Sequence, residues 1–491
     1  MLFSNNGLLG SFHGCEPKLE VEPFVPFLEG SALTPDFFDD DADTAITDVT
    51  HSTTSVTPGA LFVCIMGEHV DGHELAQEAI DAGAVALLVE RKLPLTIPQI
   101  LVSDTRQTQG NVAAAFWGFP SDDLLMIAVT GTNGKTTTAH LLGSILRQHG
   151  LQTEVMGTLS GNRTTAESTD LQRQLAQFVQ RKVQAVVMEV TSHAMVLHRV
   201  EGTHFALSIF TNLTPEHLDF HGTMERYFAA KASLFTSAFT SKGVVNYDDV
   251  HGRLIADTHE IQCFPFSLHD VQNISASASS HEFTWKTHQV VVNVGGKFNV
   301  SNSLAAVTAA VQLGVSETDI VAGLAAAETV PGRFEQVRAS SGFDVVVDYA
   351  HTPDALQRVL LAARDVVGVK HRVLVVFGCG GDRDSEKRPH MGAIAAKFAD
   401  YVVVTSDNPR SESPAAIAQN IIDGIGTHGA NTIVKTEIDR RLAIQLALNS
   451  AKSGDIVVIA GKGHEKNQTI GNSVLPFDDV AIVREILGVV A

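Results

Sequence analysis

Residues Leu124–Gly150 read LLMIAVTGTNGKTTTAHLLGSILRQHG, and three kinds of sequence succeed one another within them. LLMIAVT is a continuous aliphatic run of strand length, the pattern of a strand buried on both faces. GTNGK is a glycine-rich loop, and TTTAHLLGSILRQHG carries apolar residues at helical spacing and stops on Gly150. Strand, loop and helix in that order predict a phosphate loop over Thr130–Thr137. Glycines let backbone N–H groups turn toward phosphate, the helix N-terminus adds a positive dipole end, Lys135 adds a full charge, and the Thr136 hydroxyl can hold Mg²⁺. The stretch departs from the strict GxxxxGK[ST] spacing, because Val129 stands where the first glycine would be. The flanking strand and helix, not the loop alone, set it apart from an ordinary glycine-rich turn.

Working outward, AVVMEV (185–190), FALSIFTNL (205–213) and KGVVNY (242–247) repeat the strand signal with helical stretches between them. They predict a parallel sheet covered on both faces, in a central region spanning 123–332. Beyond it, DVVVDYAH (344–351), RVLVVFGCGG (372–381), YVVVTSDNPR (401–410) and DIVVIAGKGHE (455–465) are aliphatic runs that each end in a polar or glycine-rich tail. Ligands of open parallel sheets bind past the carboxyl ends of the strands, so these four tails should meet on one rim of a doubly wound domain over 333–491. Upstream, ALFVCIM (60–66), HELAQEAIDAG and AVALLVE (84–90) predict a small α/β domain within 1–122. Its first 45 residues, with the acidic DFFDDDAD (36–43), read as an irregular lead-in. No short solenoid repeat is present.

A chain of 491 residues with 44% hydrophobic and 18% charged residues is too long for one core and too apolar for disorder. The 35 Lys and Arg against 55 Asp and Glu give a net charge of −20, which argues against general affinity for nucleic acid or anionic membrane. Cys15, Cys64, Cys263 and Cys379 form no CxxC pair, so reduced thiols are expected rather than disulfides or a zinc site. The N-terminus lacks a basic region before its apolar patch, and no apolar run reaches membrane-spanning length. A cytoplasmic protein, expected to be monomeric, is the reading.

TGTNGKTT resembles the ATP loop of the Mur ligases and of their relative folylpolyglutamate synthetase. The remaining motifs discriminate between them. MEVTSHA (188–194), TNLTPEHLDFHG (211–222), YFAAKASLF (227–235), GKFNVSNSLAA (296–306), PGRFE (331–335), DYAHTPDAL (348–356), GCGGDRD (378–384), SDNPRSE (406–412) and AGKGHE (460–465) fall in the order of the muramyl branch that forms the tripeptide. The resemblance covers roughly 46–491. It implies a three-domain α/β architecture, with a central P-loop ATPase-like parallel sheet and a Rossmann-like C-terminal domain. It also implies an acid–amino-acid ligase of peptidoglycan precursor synthesis that forms ADP and phosphate. Its acceptor would be UDP-N-acetylmuramoyl-L-Ala-D-Glu, and its donor amine meso-diaminopimelate.

Forming an amide from a carboxylate is uphill in water, so ATP must first convert the carboxylate to an acyl phosphate. Two anions then meet, and cations must lie between them: Glu189 at a strand end, with Thr136 and His217, can hold Mg²⁺ there. By resemblance Lys231 is the lysine that the family carbamylates with CO₂, converting a cation into a metal-facing carboxylate. Burial would favour the neutral amine that such chemistry needs. Gly131, Thr132, Asn133, Gly134, Lys135, Thr136, Thr137, Asn302, Arg333, Asp348 and His351 match the family's ATP contacts, with Asn299 a further candidate.

Arg383, Asp407, Asn408, Pro409, Arg410, Gly461 and Glu465 are the expected amino-acid pocket. A donor with a second amine and carboxylate needs opposite charges at its far end, and Arg410 matches a carboxylate bidentately. DNPR resembles the version that selects meso-diaminopimelate; enzymes adding L-lysine usually lack that Arg. Thr164, Thr165, Thr191 and Arg199 match contacts to the UDP-sugar peptide. Near the uridine the pattern departs: Ser52-Thr53-Thr54 replaces Asp-Ser-Arg, leaving Thr53 as the contact, Thr191 stands where Ser is common, and Leu197 replaces a Gln. Three alternatives stand beside this reading. They are the same ligase adding L-lysine or L-ornithine, a folylpolyglutamate synthetase, and a nucleotide-binding regulator without ligase activity.

Overall fold

The computed structural model describes residues 36–37 and 44–489, apart from 68–69, 162, 259, 339–341 and 427–431. Most of the irregular lead-in, and Cys15, lie outside the described residues. Two compact units emerge: 1–124 with 166–182 and 193–204, and 125–165 with 183–192 and 205–491. The stretch read as one central region thus contributes two segments to the first unit.

In the first unit, β1 (Asp36–Phe37), β2 (Asp48–Thr50), β3 (Ala60–Val63), β4 (Ala84–Val89) and β5 (Gln99–Leu101) form a sheet in the order β1-β5-β4-β3-β2, parallel except for β1. Alternation along β3 decides what covers each face. Leu61 and Val63 join a core with Val112 and Phe116 of the helix Thr105–Phe116, whereas Phe62 shares one with Ala76 and Ala79 of the helix Ala76–Asp81. The two later segments are tied in by charge. Arg173 pairs with Asp48 at 2.8 Å, and Glu167 receives Arg199 at 3.0 Å and Arg106 at 3.6 Å.

The second unit holds two large, mainly parallel sheets. β6 (Leu125–Thr130), β7 (Thr153–Met156), β8 (Ala185–Glu189), β9 (Leu207–Phe210), β10 (Lys242–Asn246) and β11 (Gln262–Phe266) run in the order β11-β10-β9-β6-β8-β7, all parallel. The helix Lys135–Gln148 buries Leu141, Leu142, Ile145 and Leu146 in the same core as Ile127, Val129 and Val187. Two more helices, Asn299–Gln312 and Glu317–Ala325, pack on it. Gly323 approaches so closely that a Cβ there would lie 2.5 Å from the Ile145 Cα.

An antiparallel meander, β12 (Val271–Ala276), β13 (His281–Trp285) and β14 (His288–Val292), went unread in the sequence. It adds Phe283 and Trp285 to this core. Buried His281 links it to the helix Asn299–Gln312, with Nδ1 donating to the Val294 carbonyl at 2.6 Å and Nε2 on Ser303 Oγ at 2.8 Å. Burial pushes that imidazole down to about 4, so it stays neutral, as the donation to a carbonyl at Nδ1 and an accepting Nε2 require.

β15 (Glu335–Gln336), β16 (Asp344–Asp348), β17 (Val373–Phe377), β18 (Tyr401–Val404), β19 (Ile433–Thr436) and β20 (Ile456–Ala460) form the second sheet in the order β15-β16-β20-β17-β18-β19, parallel save for β15. Successive residues again part to opposite faces. Val346, Val375, Phe377 and Val458 pack with Leu356, Met391 and Ile421, while Val345, Leu374, Val376 and Val457 pack with Ile444, Leu448 and Val483. The sheet is therefore doubly wound. Because β16, β20, β17 and β18 are parallel neighbours, the four polar tails leave from one rim, as their strand-end positions predict. No helix among the described residues is long and apolar enough to cross a membrane.

Candidate active site

Where β6 ends, the chain turns through Gly131 at φ 142° and Gly134 at φ 90°, conformations that favour glycine. Space requires it too. A Cβ on Gly131 would lie 2.0 Å from Thr211 Oγ1, and one on Gly134 would lie 2.2 Å from Asn302 Oδ1. Asn212 shapes the loop between them, accepting from the Asn133 N–H at Oδ1 and donating to the Asn133 carbonyl from Nδ2, both at 3.0 Å. Gly131→Ala is expected to weaken ATP binding about tenfold or more, because the strained backbone and displaced Thr211 each cost about 1–3 kcal/mol. Titration of wild-type and variant protein with ATP measures this.

Two ammonium groups converge on one carbonyl. Lys135 Nζ donates to the Gly131 and Thr132 oxygens at 2.9 Å each, and Lys231 Nζ reaches the same Gly131 oxygen at 2.9 Å from the helix Met224–Ala232. Lys231 is 2% exposed, its Nζ 4.7 Å from the centre of the Tyr227 ring. Tyr227 in turn meets Thr132 Oγ1 with its hydroxyl at 3.0 Å. Burial holds the Lys231 amine well below the ordinary lysine range, and the charge of Lys135 pushes the same way. Lys135 is itself lowered, chiefly by desolvation.

Glu189 ends β8 with 1% exposure. It accepts from the Thr136 hydroxyl at 3.1 Å, the Thr158 N–H at 2.9 Å and the Thr158 hydroxyl at 3.2 Å. Arg333 Nη2 also donates to Thr136 Oγ1 at 3.1 Å, and its guanidinium lies over the Tyr349 ring at 4.7 Å. Its buried Nε has no hydrogen-bond partner among the described residues. An unsatisfied guanidinium N–H beside a glycine-rich loop and two lysines is a fit for phosphate.

These groups border a cleft of about 270 Å³ whose lining includes Thr132–Thr137, Glu189, His217, Asn302, Arg333, Asp348 and His351. Asp348 braces the cleft's own wall: its carboxylate accepts from the Phe334 N–H at 2.7 Å and the Ala350 N–H at 2.8 Å, which fixes the turn bearing Arg333. Burial raises its pKa. Asn302 and Asn299 are joined at 2.7 Å, and Asn299 donates to the Gly295 carbonyl, also at 2.7 Å. No three His, Cys, Asp or Glu side chains among the described residues could hold a metal by themselves. One buried carboxylate beside a threonine hydroxyl still suits Mg²⁺, which takes one or two protein ligands and completes its shell with phosphate and water.

At the rim of the second sheet, the tails after β17, β18 and β20 come together. Gly381 N–H donates to the Asn408 carbonyl at 2.9 Å, and a Cβ on Gly381 would meet the Pro409 oxygen at 1.9 Å. Arg410, at φ 50°, is gripped on both sides of its peptide by a hairpin of β21 (Asn467–Ile470) and β22 (Ser473–Pro476): its N–H donates to the Thr469 carbonyl, and its carbonyl accepts from Gly471. Its Nη1 donates to the Gly381 oxygen at 2.6 Å, and a Cβ on Gly380 would lie 3.0 Å from that Nη1 and 4.0 Å from exposed Arg383 at Cγ. Buried Asp407 packs its carboxylate against Gly461, whose Cβ would be 2.6 Å away. Glu465 accepts from Asn408 at 2.8 Å and from Lys462 at 2.9 Å. Burial pushes Glu465 up, but the Lys462 charge and these bonds leave it below the ordinary range.

The residues matched to the UDP-sugar peptide divide between the units. Thr164 and Thr191 line the cleft. Thr165 lies beneath, donating to the Glu189 carbonyl at 3.0 Å. Thr53 begins the 3₁₀ turn Thr53–Ser55 of the first unit, and Arg199 is paired there with Glu167.

Several groups at the site went unread. Glu216, adjacent to His217, lines the cleft and contacts His351 Nε2 at 3.5 Å. Asp354 accepts from Asn133 Nδ2 at 2.9 Å. Lys462 lies within GKGHE, but nothing in that motif marks it as buried. Arg440 carries no sequence signal; fully buried and paired with Asp479 at 2.7 Å, it donates to the Ala460 carbonyl at the end of β20.

Three family profiles match the chain: Mur ligase family, catalytic domain, over residues 45–117; Mur ligase middle domain over 129–310; and Mur ligase, glutamate ligase domain, over 332–463. A protein of Alkaliphilus metalliredigens named UDP-N-acetylmuramoyl-L-alanyl-D-glutamate--2,6-diaminopimelate ligase is 42% identical over 467 residues, 90% of this chain and 93% of that one. One of the same name from Syntrophomonas wolfei is 41% identical over 482 residues, covering 93% and 97%. A solved structure under that name aligns with a TM-score of 0.63 at 32% identity, over 90% of this chain and 95% of the other. The matched profiles follow one another along the chain as the smaller sheet, the phosphate-loop sheet and the doubly wound sheet do, and the chain belongs to the Mur ligase family.

Proposed function

We propose that this protein is the ATP-dependent ligase that joins meso-diaminopimelate to the D-glutamate carboxylate of UDP-N-acetylmuramoyl-L-alanyl-D-glutamate, in the cytoplasm and as a monomer. The carrying observation is the charge layout: a cation-rich phosphate loop at one strand rim, and Arg410 with Glu465 at another. A diamino dicarboxylic acid needs that second pair, a carboxylate facing Arg410 and an ammonium facing Glu465. The shared name of the relatives at 41% and 42% identity supports the same substrates. We assign 1–122 to the UDP substrate, 123–332 to ATP and 333–491 to the amino acid; the family matches over 45–117, 129–310 and 332–463 follow the same order.

ATP supplies the phosphoryl group that turns the acceptor carboxylate into an acyl phosphate with loss of ADP; Thr136, Glu189, His217 and a carbamylated Lys231 would hold Mg²⁺, which would supply positive charge between the meeting anions. Lys135 and Arg333 hold the phosphates, and Asn302, with His351, borders the nucleotide. Thr53, Thr164, Thr165, Thr191 and Arg199 are the residues we assign to the UDP-sugar peptide. Arg383, Asp407, Asn408, Pro409, Arg410, Gly461 and Glu465 present the amine, which attacks the acyl carbon and expels phosphate. Positioning and charge neutralisation supply most of the acceleration, since no Ser or Cys nucleophile is required.

Phosphate release with ATP, Mg²⁺ and the UDP-dipeptide, offering meso-diaminopimelate, L-lysine or L-ornithine in parallel, tests the reading. Release and product with diaminopimelate alone are expected. A preference for lysine or ornithine would overturn the pocket assignment and keep the ligase. Absence of acceptor-dependent release would remove the ligase reading itself.

A further inference from the structure

Lys462 is 0% exposed, and a fully buried ammonium is costly unless every proton is used. Here each is. Nζ donates to Asn467 O at 2.6 Å, to Glu465 Oε2 at 2.9 Å and to Asn408 Oδ1 at 3.3 Å. Those acceptors come from three separate segments: the tail after β18, the tail after β20, and the start of the hairpin β21–β22. A snorkelling surface lysine would reach none of them, and a purely apolar core would fill the volume at less cost.

The bonds leave specific atoms defined. Asn408 gives its oxygen to Lys462 and to the Thr469 N–H at 2.9 Å, which fixes the amide so that Nδ2 faces Glu465. Glu465 then has Oε2 occupied by two donors, and no hydrogen bond from the described residues reaches Oε1. Lys462 thus supplies the charge that keeps Glu465 an anion and the geometry that leaves one oxygen without a donor among the described residues. It also anchors the hairpin that grips the Arg410 peptide.

We propose that Lys462 is a positioning residue for the incoming amino acid, acting through Glu465 and Asn408 to present an ionised acceptor to the ammonium of the donor. The inference rests on the ligase reading above and adds to it a buried residue that does not itself touch substrate.

The test is a double-mutant cycle on the full-length protein, with KM for meso-diaminopimelate and KM for ATP measured separately. Lys462→Met is expected to raise the diaminopimelate KM about 10- to 100-fold, with KM for ATP moved less than about twofold. Lys462→Arg should recover part of the loss. Combined with Glu465→Gln, Lys462→Met should add less than about twofold to the effect of Glu465→Gln alone, because both act through one acceptor. The double variant also removes the unpaired charge that could keep Lys462→Met from folding, so its comparison with Glu465→Gln decides the matter on its own. An unchanged diaminopimelate KM, equal rises in both KM values, or fully additive effects would overturn the proposal. Wild-type protein without diaminopimelate-dependent turnover would instead overturn the ligase reading on which it rests.

Discussion

Lys231→Ala is expected to lower acceptor-dependent phosphate release about 10³-fold while ATP still binds, because the buried residue meets the phosphate loop at the Gly131 carbonyl and is not among the residues that line the cleft. Two ammonium groups on one Gly131 oxygen repel each other, and Lys231 is the more deeply buried. Its pKa is held well below the ordinary value by desolvation first and by Lys135 second, which favours the neutral, nucleophilic amine. That amine is the form that adds to CO₂. A carbamate there would change the sign of the charge: repulsion from Lys135 would become attraction, and the group would be an anion of the kind Mg²⁺ favours. Depleting bicarbonate should therefore lower wild-type activity, and restoring it should bring activity back. Folding should suffer far less than turnover, since the cavity left by alanine, about 1–3 kcal/mol, is offset by removing a desolvated amine. An unfolding temperature within about a few degrees of wild type, with turnover lost, is the expected pair of results. Retained turnover in Lys231→Ala would sink the assigned role.

The second large effect is at Arg410. Replacing it with alanine should reduce kcat/KM for meso-diaminopimelate about 10²-fold or more, the value of a bidentate, charge-assisted contact of roughly 2–4 kcal/mol, with L-lysine affected much less. Relative preference should thus shift toward lysine even though no new contact to lysine is made. The structure explains why arginine is demanded at an awkward backbone position. At φ 50° a residue other than glycine is strained, and the hairpin bonds from Thr469 and Gly471 hold it there. The strain aims the guanidinium at the glycine loop after β17, where Nη1 rests on the Gly381 oxygen. Equal losses for both amino acids in parallel kinetic runs would show that Arg410 shapes the pocket rather than reading the distal carboxylate.

What could be read without coordinates was whatever local pattern encodes. Aliphatic runs of strand length, each closed by a polar tail, were enough for two parallel sheets and for the rim where the tails of β16, β17, β18 and β20 gather, because parallel strands must present like ends together. The phosphate loop was legible because glycines, lysine and helix start are contiguous. Two pieces of β-structure were not legible. The strands of the meander over Val271–Val292 are short and half polar, with exposed residues such as Gln272 and Gln289 alternating with buried ones, so they resemble loop. The hairpin at Asn467–Pro476 has a mostly exposed second strand and no strong apolar period.

Sequence by itself determined the motif order, and with it the family, since each motif is a run of adjacent residues whose chemistry does not depend on distant partners. Tertiary structure alone decided which of those residues face the cleft and which hold the others in place. Asp348 spends both carboxylate oxygens on backbone N–H groups of its own wall, Lys231 is buried against the Gly131 carbonyl, and segments 166–182 and 193–204 join the N-terminal unit. Arg440 and Lys462 became visible only as buried charges with partners far along the chain, Asp479 and Asn408. The physical reason is that a charge declares its role through what desolvates and pairs it, and those neighbours are set by the packing of whole sheets rather than by the residues beside it in sequence.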